Sequence, residues 1–275
     1  MDRAEELACL DGAIAPVGAT SIPVTDEGFL RGDGVFEVLR VYGGRPYALG
    51  AHLDRMNGSA AALRLEGEFP RGELESDVAS LLEARGGERF DGCLRLVLTR
   101  GSRRLVMTEP LPRSPERVRL GYVTYTPTRV LDGVKSLSYA ANMLCSRLAR
   151  ERGFDEALMV TPHGRVLEAP TSSLFWVDAD GVLCTPPLEE HILASITREH
   201  VMQLVEVQEC SVASDELLGA REAFLASTTR EVQSVAAIEG TEFPEAGELT
   251  RKAAAAFRAH VDQWLELELE LEKDR

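Results

Sequence analysis

The stretch GVKSLSYAANMLCSRLAR, residues 133–150, carries one of only three lysines in a 275-residue chain that otherwise uses 27 arginines for positive charge. The other two, Lys252 and Lys273, fall near the C-terminus. Arginine stays protonated at any physiological pH, whereas a lysine amine taken out of water can lose its proton and attack a carbonyl. Lys135 stands at the end of an expected strand and directly ahead of an expected helix, a junction from which a side chain can point into a cleft. That placement suits a Schiff-base lysine, and it suits a solvated surface lysine equally. Only partner groups separate the two.

A Schiff base of pyridoxal phosphate requires an anchor for a dianionic phosphate, a carboxylate beside the pyridine nitrogen and apolar support for the ring. Helix N-termini and hydroxyl-bearing turns anchor phosphates because unpaired N–H groups and the helix dipole converge there. Two segments offer this. In EEHILASITREH, Ser195 has the type of an N-cap, with the N–H groups of Ile196 and Thr197 and the Thr197 hydroxyl behind it. In AFLASTTREV, an apolar strand ends in Ser227, Thr228 and Thr229. Arg55 in AHLDRM has the fork to complete a phosphate cradle, or it is an ordinary helix-surface charge. Glu168 in GRVLEAPTSSLFWV follows an apolar residue and precedes a Pro-containing turn, where a run of solvated charge is not expected.

The elements that must hold these groups alternate along the chain. VFEVLRVY reads as a strand closed by a GG turn, and AHLDRMNGSAAALRL as a helix with Leu53, Met56, Ala60 and Leu63 on one face. ELESDVASLLEAR reads as a second helix, and CLRLVLTRG and RVRLGYVTYTP as strands. TPTRVLDG, residues 126–133, is polar and turn-rich and reads as a linker between an N-terminal domain at 1–125 and a C-terminal domain at 134–275. Beyond it, SLSYAANMLCSRLARER is expected to be a helix with Leu137, Ala141, Leu144 and Leu148 as its apolar stripe. Then come strand EALMVTP, strand SSLFWVDADG with VLCTP, helix ITREHVMQLVEVQ, strand EAFLAST with a turn, and a last helix from GELTRKAAAAF. The tail LELELELEKDR is left unassigned. This mixture points to an α+β or α/β protein in two lobes.

Bulk properties restrict the function class. Hydrophobic content of 44% with 27% charged residues is that of a globular protein. A net charge of −15, with no local basic patch, argues against a nucleic-acid surface. Cys9, Cys93, Cys145, Cys184 and Cys210 are scattered and free of CxxC spacing, which suggests reduced thiols in a cytoplasmic protein with no disulfide framework and no metal site. MDRAEELACL is acidic and reads as no signal peptide, and no segment reaches transmembrane length.

Taken in order, the motifs DEGFLRGDGVFEVLRVYGG, AHLDRM, KSLSYAAN, LEAPTSSLFWV, SITRE and STTREV resemble those of the class IV, fold type IV, pyridoxal-phosphate aminotransferases over about residues 20 to 240. The group includes D-amino-acid aminotransferases, branched-chain aminotransferases and aminodeoxychorismate lyases. The resemblance implies a small N-terminal α/β domain and a larger C-terminal pseudobarrel domain, with pyridoxal 5'-phosphate as cofactor. It implies that Lys135 forms the Schiff base and moves the substrate α-proton, and that Glu168 faces the pyridine nitrogen. Arg55, Ile196, Thr197 and Thr228 would hold the phosphate, and Leu193 would pack on the ring. Tyr139 and His52 lie within matched motifs and are read as packing or supporting residues. Ser195 departs from the glycine usual before Ile-Thr. Arg31, Arg103 and Arg104 are the candidates for a substrate carboxylate, or else solvated loop arginines. The segment around GDG looks most like D-amino-acid aminotransferases, and the tyrosine that branched-chain enzymes carry five residues after the lysine is Ala140 here. A lyase that releases pyruvate to leave an aromatic amine would use the same lysine. The resemblance also implies a homodimer acting on amino acids and 2-oxo acids.

Overall fold

β-Branched and apolar runs form the first unit, which comprises Met1–Pro112 and Val134–Tyr139 in a computed structural model describing residues 6–243, 245 and 247–273. The first five residues of MDRAEELACL and the last two of the acidic tail lie outside the described residues. Six antiparallel strands are described, β1 (Leu7–Leu10), β2 (Ala13–Pro16), β3 (Gly34–Tyr42), β4 (Arg45–Pro46), β5 (Gly92–Thr99) and β6 (Arg104–Glu109), in the order β2-β1-β6-β5-β3-β4. A short helix α1 (Glu27–Arg31) precedes β3; Asp26 caps it by accepting from Gly28 N at 2.8 Å. β3 turns into β4 through Gly43 and Gly44, both at positive φ (51° and 77°), the backbone a two-residue hairpin needs. Helices α2 (Leu49–Ala62) and α3 (Arg71–Arg85) follow. Leu53, Met56 and Ala60 of α2 and Leu74, Val78 and Leu81 of α3 join Leu39, Leu94 and Leu96 in one core.

The second unit comprises Arg113–Gly133 and Ala140–Arg275. Its mixed sheet is built from β7 (Val118–Thr124), β8 (Glu156–Val160), β9 (Ser173–Val177), β10 (Leu183–Thr185), β11 (Gln208–Glu209), β12 (Glu222–Ser227) and β13 (Glu231–Ile238), in the order β11-β10-β9-β12-β13-β7-β8, with β14 (Thr241–Glu242) on β13. β7 pairs in parallel with β8 and with β13, and α4 (Ala140–Glu151) lies in the connection between β7 and β8, as a parallel pair requires. α5 (Ile196–Leu204), α6 (Ser214–Leu217) and α7 (Glu248–Lys273) complete the unit. Phe175 and Phe224 sit opposite each other on β9 and β12, both fully buried, with ring centroids 4.8 Å apart.

Three sequence expectations are corrected here. The division into 1–125, a 126–133 linker and 134–275 does not hold, because β7 belongs to the second sheet through long-range pairing. Residues 134–139 return to the first unit, where Ser136 bridges Val35. The helix expected from Ser136 begins at Ala140, so Leu137 is not on it; Ala141 is exposed, as are Leu144 (48%) and Leu148 (39%). The buried face is Cys145, Ser146 and Ala149, whose small side chains let the helix lie close to β8, and Ser146 Oγ donates to Glu156 at 2.7 Å. The unassigned tail continues α7 as far as Lys273. Replacing Phe224 by alanine removes a fully buried stacked ring and is predicted to cost ~3–5 kcal/mol. Leu144→Ala is predicted to stay within ~0.5 kcal/mol; denaturant unfolding of both variants reads the difference.

Candidate active site

Lys135 is fixed by backbone pairing. Phe36 N donates to its carbonyl at 3.2 Å, Leu137 N donates to Gly34 O at 2.8 Å, and its own N–H donates to Ser59 Oγ of α2 at 3.1 Å. Gly34 makes this approach possible, since a Cβ there would stand 2.6 Å from Leu98 O and 2.8 Å from a methyl of Leu137. The Lys135 Nζ lies 4.4 Å from the Phe36 ring centroid and 5.6 Å from that of Tyr139, and the two rings meet edge to face at 5.2 Å. An amine against aromatic faces keeps cation–π support while charged and loses little solvation when it gives up its proton.

Behind β3 lies an ionic cluster. Glu37, whose side chain is 0% exposed, accepts from Arg55 Nε at 2.7 Å and Nη2 at 2.6 Å, and His52 Nδ1 stands 2.8 Å from its Oε2. Burial alone would raise the Glu37 pKa, but the hydrogen bonds from Arg55 and His52 and the charge of Arg55 outweigh it and hold it at about 2. Burial pushes the His52 pKa below its ordinary 6.5, and the charges of Arg55 and Lys135 add to that against the opposing pull of Glu37. His52 is therefore neutral, donating from Nδ1. Arg55, read from sequence as a phosphate ligand, has its fork held in plane by Glu37.

In the second unit Glu168 stands on a segment that pairs with β8, where Met159 N donates to its carbonyl at 2.9 Å. Its Oε1 accepts from Leu193 N at 3.0 Å, so the half-buried Leu193 is a backbone partner of the carboxylate. Ser195 caps α5, its side chain accepting from Arg198 N at 3.3 Å, and Ile196 and Thr197 are buried in the first turn. Thr228 is half-buried in the turn after β12. The hydroxyls of Ser172, Ser173 and Ser227 are buried and have no hydrogen-bond partner among the described residues. They lie at adjacent ends of β9 and β12, where Ser173 is in register with Ala226. Orphaned hydroxyls at a strand end beside Thr228 fit a group rich in acceptor oxygens, as a phosphate is. Arg230 braces this turn, donating to the nearly buried Glu156 at 2.6 Å.

The three arginines considered for a substrate carboxylate differ in their surroundings. Arg104 is paired with buried Asp77, and Arg103 with Asp11 at 2.7 Å. Arg31 pairs with Glu27 one turn away and keeps 68% of its side chain exposed. Sequence reading overlooked Glu37, Phe36 and Ser59. A lone carboxylate inside the apolar run VFEVLRVY was the available signal for Glu37; nothing local marked the other two.

The family model for amino-transferase class IV matches residues 34–238. The chain is 31% identical to D-alanine aminotransferase of Bacillus licheniformis over 91% of its own length and 95% of the relative's. It is 30% identical to the bifunctional aminodeoxychorismate lyase / D-amino acid transaminase of Mycobacterium tuberculosis over 72% of its own length and 78% of the relative's. The crystal structure of the branched-chain aminotransferase of Thermoproteus uzoniensis superimposes with a TM-score of 0.83 at 28% identity, over 92% of this chain and 93% of that one.

Both Glu37 and His52 have depressed pKa values in the folded state. Their stabilising contributions are therefore present above the unfolded values and are lost as pH falls. The loss is predicted to begin below 6.5 for His52 and to run from 4.5 to about 2 for Glu37. Glu37→Gln leaves Arg55 without its counter-charge and is predicted to cost ~3–5 kcal/mol at pH 7. The variant should also flatten the acid limb of a stability-against-pH curve below pH 4.5.

Proposed function

Since the chain belongs to the class IV aminotransferases, we propose that it takes the amino group from D-amino acids such as D-alanine or D-glutamate and passes it to a 2-oxo acid. The enzyme is a pyridoxal-phosphate-dependent transaminase of fold type IV, and its substrates are amino and oxo acids. When bound, the cofactor supplies a carbonyl for amine exchange and a ring that accepts electron density from the substrate α-carbon.

The chain's residues do the rest. Lys135 holds the cofactor through its Nζ and then takes the α-proton from one carbon and returns it to another, which an arginine cannot do. Glu168, oriented by the Leu193 N–H, keeps a proton at the pyridine nitrogen. Thr228, the α5 N-terminus with Ile196 and Thr197, and Arg55 braced by Glu37 bind the phosphate oxygens, and Leu193 supports the ring. Arg31 is our candidate for the substrate carboxylate, because its partner is a neighbouring surface glutamate while Arg103 and Arg104 are tied to Asp11 and Asp77. The observation that carries the reading is the amine of Lys135 laid against two aromatic faces in a chain nearly devoid of lysine.

The D-amino-acid preference is supported by the relative from Bacillus licheniformis. The likeness to the bifunctional lyase and transaminase supports a second reading, release of pyruvate from aminodeoxychorismate. A homodimer is supported by the exposed Val24, Phe29 and Leu30 of the first unit, an apolar group that a second copy would cover. Five free thiols support a reducing, cytoplasmic setting. No helix among the described residues is long and apolar enough to cross a membrane.

D-Alanine is predicted to discharge the visible band of the lysine-bound cofactor while L-leucine leaves it in place; discharge by L-leucine alone, or pyruvate release from aminodeoxychorismate, moves the assignment to those substrates. Lys135→Ala should lower kcat by at least ~10²–10⁴-fold, the scale of a lost general acid and base. Arg31→Ala should raise KM for the donor roughly tenfold, as expected when a charged hydrogen bond is removed.

A further inference from the structure

His191 is held at both ring nitrogens. Its Nδ1 lies 2.6 Å from Asp132 Oδ2, and its Nε2 meets Arg129 Nη1. A guanidinium only donates, so Nε2 is the acceptor and the ring proton sits on Nδ1, donated to Asp132. The imidazole thus links a guanidinium and a carboxylate of the segment 129–132 through its two ring nitrogens.

The backbone at His191 makes that link mechanical. His191 adopts a left-handed conformation, φ 62° and ψ 34°, uncommon for a residue with a side chain. Such a conformation persists only where surrounding contacts impose it. Two residues on, Leu193 N donates to Glu168 Oε1 at 3.0 Å, and Ile192 between them is buried with Met159 and Leu167. On the other side Glu190 accepts from Ser211 Oγ and lies 3.4 Å from Arg165 Nε. The loop before α5 is therefore pinned on both flanks of a strained residue, and its working end is the N–H that orients Glu168.

We propose that Arg129, His191 and Asp132 form a positioning clasp that sets the loop from His191 to Ser195 and, through Leu193 N–H, the Glu168 carboxylate. The proposal rests on the pyridoxal-phosphate reading for Glu168's role, but the clasp itself is a property of the chain. In this proposal the three are positioning residues. Their effect passes through the hydrogen bond to Glu168, and so through the protonation of the pyridine nitrogen and the affinity for the cofactor.

Asparagine favours the left-handed backbone more than alanine does and can donate its amide N–H to Asp132, whereas alanine has no side-chain donor. The test compares His191→Ala, His191→Asn and Asp132→Asn with wild type. The first readout is amide hydrogen exchange of residues 191–195 in cofactor-free protein. The second is pyridoxal phosphate titration, with the pH at which the visible band of the bound cofactor titrates. Loss of a charge-assisted hydrogen bond corresponds to roughly a tenfold change. His191→Ala should accelerate exchange in 191–195 and weaken cofactor binding by about that factor while shifting the band's titration. Asp132→Asn should move all three in the same direction, and His191→Asn should recover most of the loss. Unchanged exchange and unchanged cofactor binding in both His191→Ala and Asp132→Asn overturn the clasp. Faster exchange with cofactor affinity and band titration unchanged also overturns it, since the loop would then not govern Glu168. If wild type binds no pyridoxal phosphate, the cofactor reading fails, and the exchange data on cofactor-free protein still decide whether the clasp holds the loop.

Discussion

The amine proposed to carry the cofactor needs a scaffold that does not move with it, and here that scaffold is the pairing of residues 135–137 with the start of β3. Two backbone hydrogen bonds to β3 and one from Lys135 N–H to Ser59 fix the main chain on both sides of the lysine. Only the flexible four-carbon stem is left to carry Nζ. Gly34 is part of the same constraint, because a side chain there would collide with Leu98 O and Leu137. The residues next along β3 serve the site as well: Phe36 lies against the amine, and Glu37 anchors Arg55 and His52. One strand thus orders the lysine, its aromatic neighbour and the arginine proposed for the phosphate. It also explains why a strand in the core of the first unit tolerates a buried carboxylate, which would be destabilising without two donors on it.

The second unit solves a related problem with loops. The role proposed for Glu168 requires a carboxylate held in one orientation, and a loop carboxylate rotates unless something holds it. The Leu193 N–H does so, and the strained His191 with its partners explains how a loop comes to present that N–H. The orphaned hydroxyls at the ends of β9 and β12 point the same way, since buried donors without partners are kept where an incoming ligand satisfies them.

The fold class and the candidate site residues left clearer marks in the sequence than the boundaries of elements and domains did. Lys135 is marked by residue type in an arginine-rich chain, Glu168 by its apolar and Pro-containing surroundings, and Ser195 by local capping preference; each signal spans only a few residues. The partners of Arg103 and Arg104 are Asp11 and Asp77, 92 and 27 positions away, so no local pattern shows that these guanidinium groups are already engaged. β6 and β13 went unread because RLVMTE and EVQSVAAI mix charged and polar residues into their alternation. The boundary near residue 125 failed for a related reason: β7 looks like any amphipathic strand, and only its parallel pairing with β8 and β13 assigns it to the second unit. On α4 two stripes were available, and leucines make the stronger pattern. Close packing on β8 favoured Cys145 and Ala149 instead.

The account stands on Lys135 as the residue that carries the cofactor. The most direct measurement is borohydride reduction of the protein after incubation with pyridoxal phosphate, followed by peptide mass spectrometry. The predicted result is a phosphopyridoxyl group on the peptide containing Lys135, with loss of the visible band. Label found only at Lys252 or Lys273, or no label at all, contradicts it.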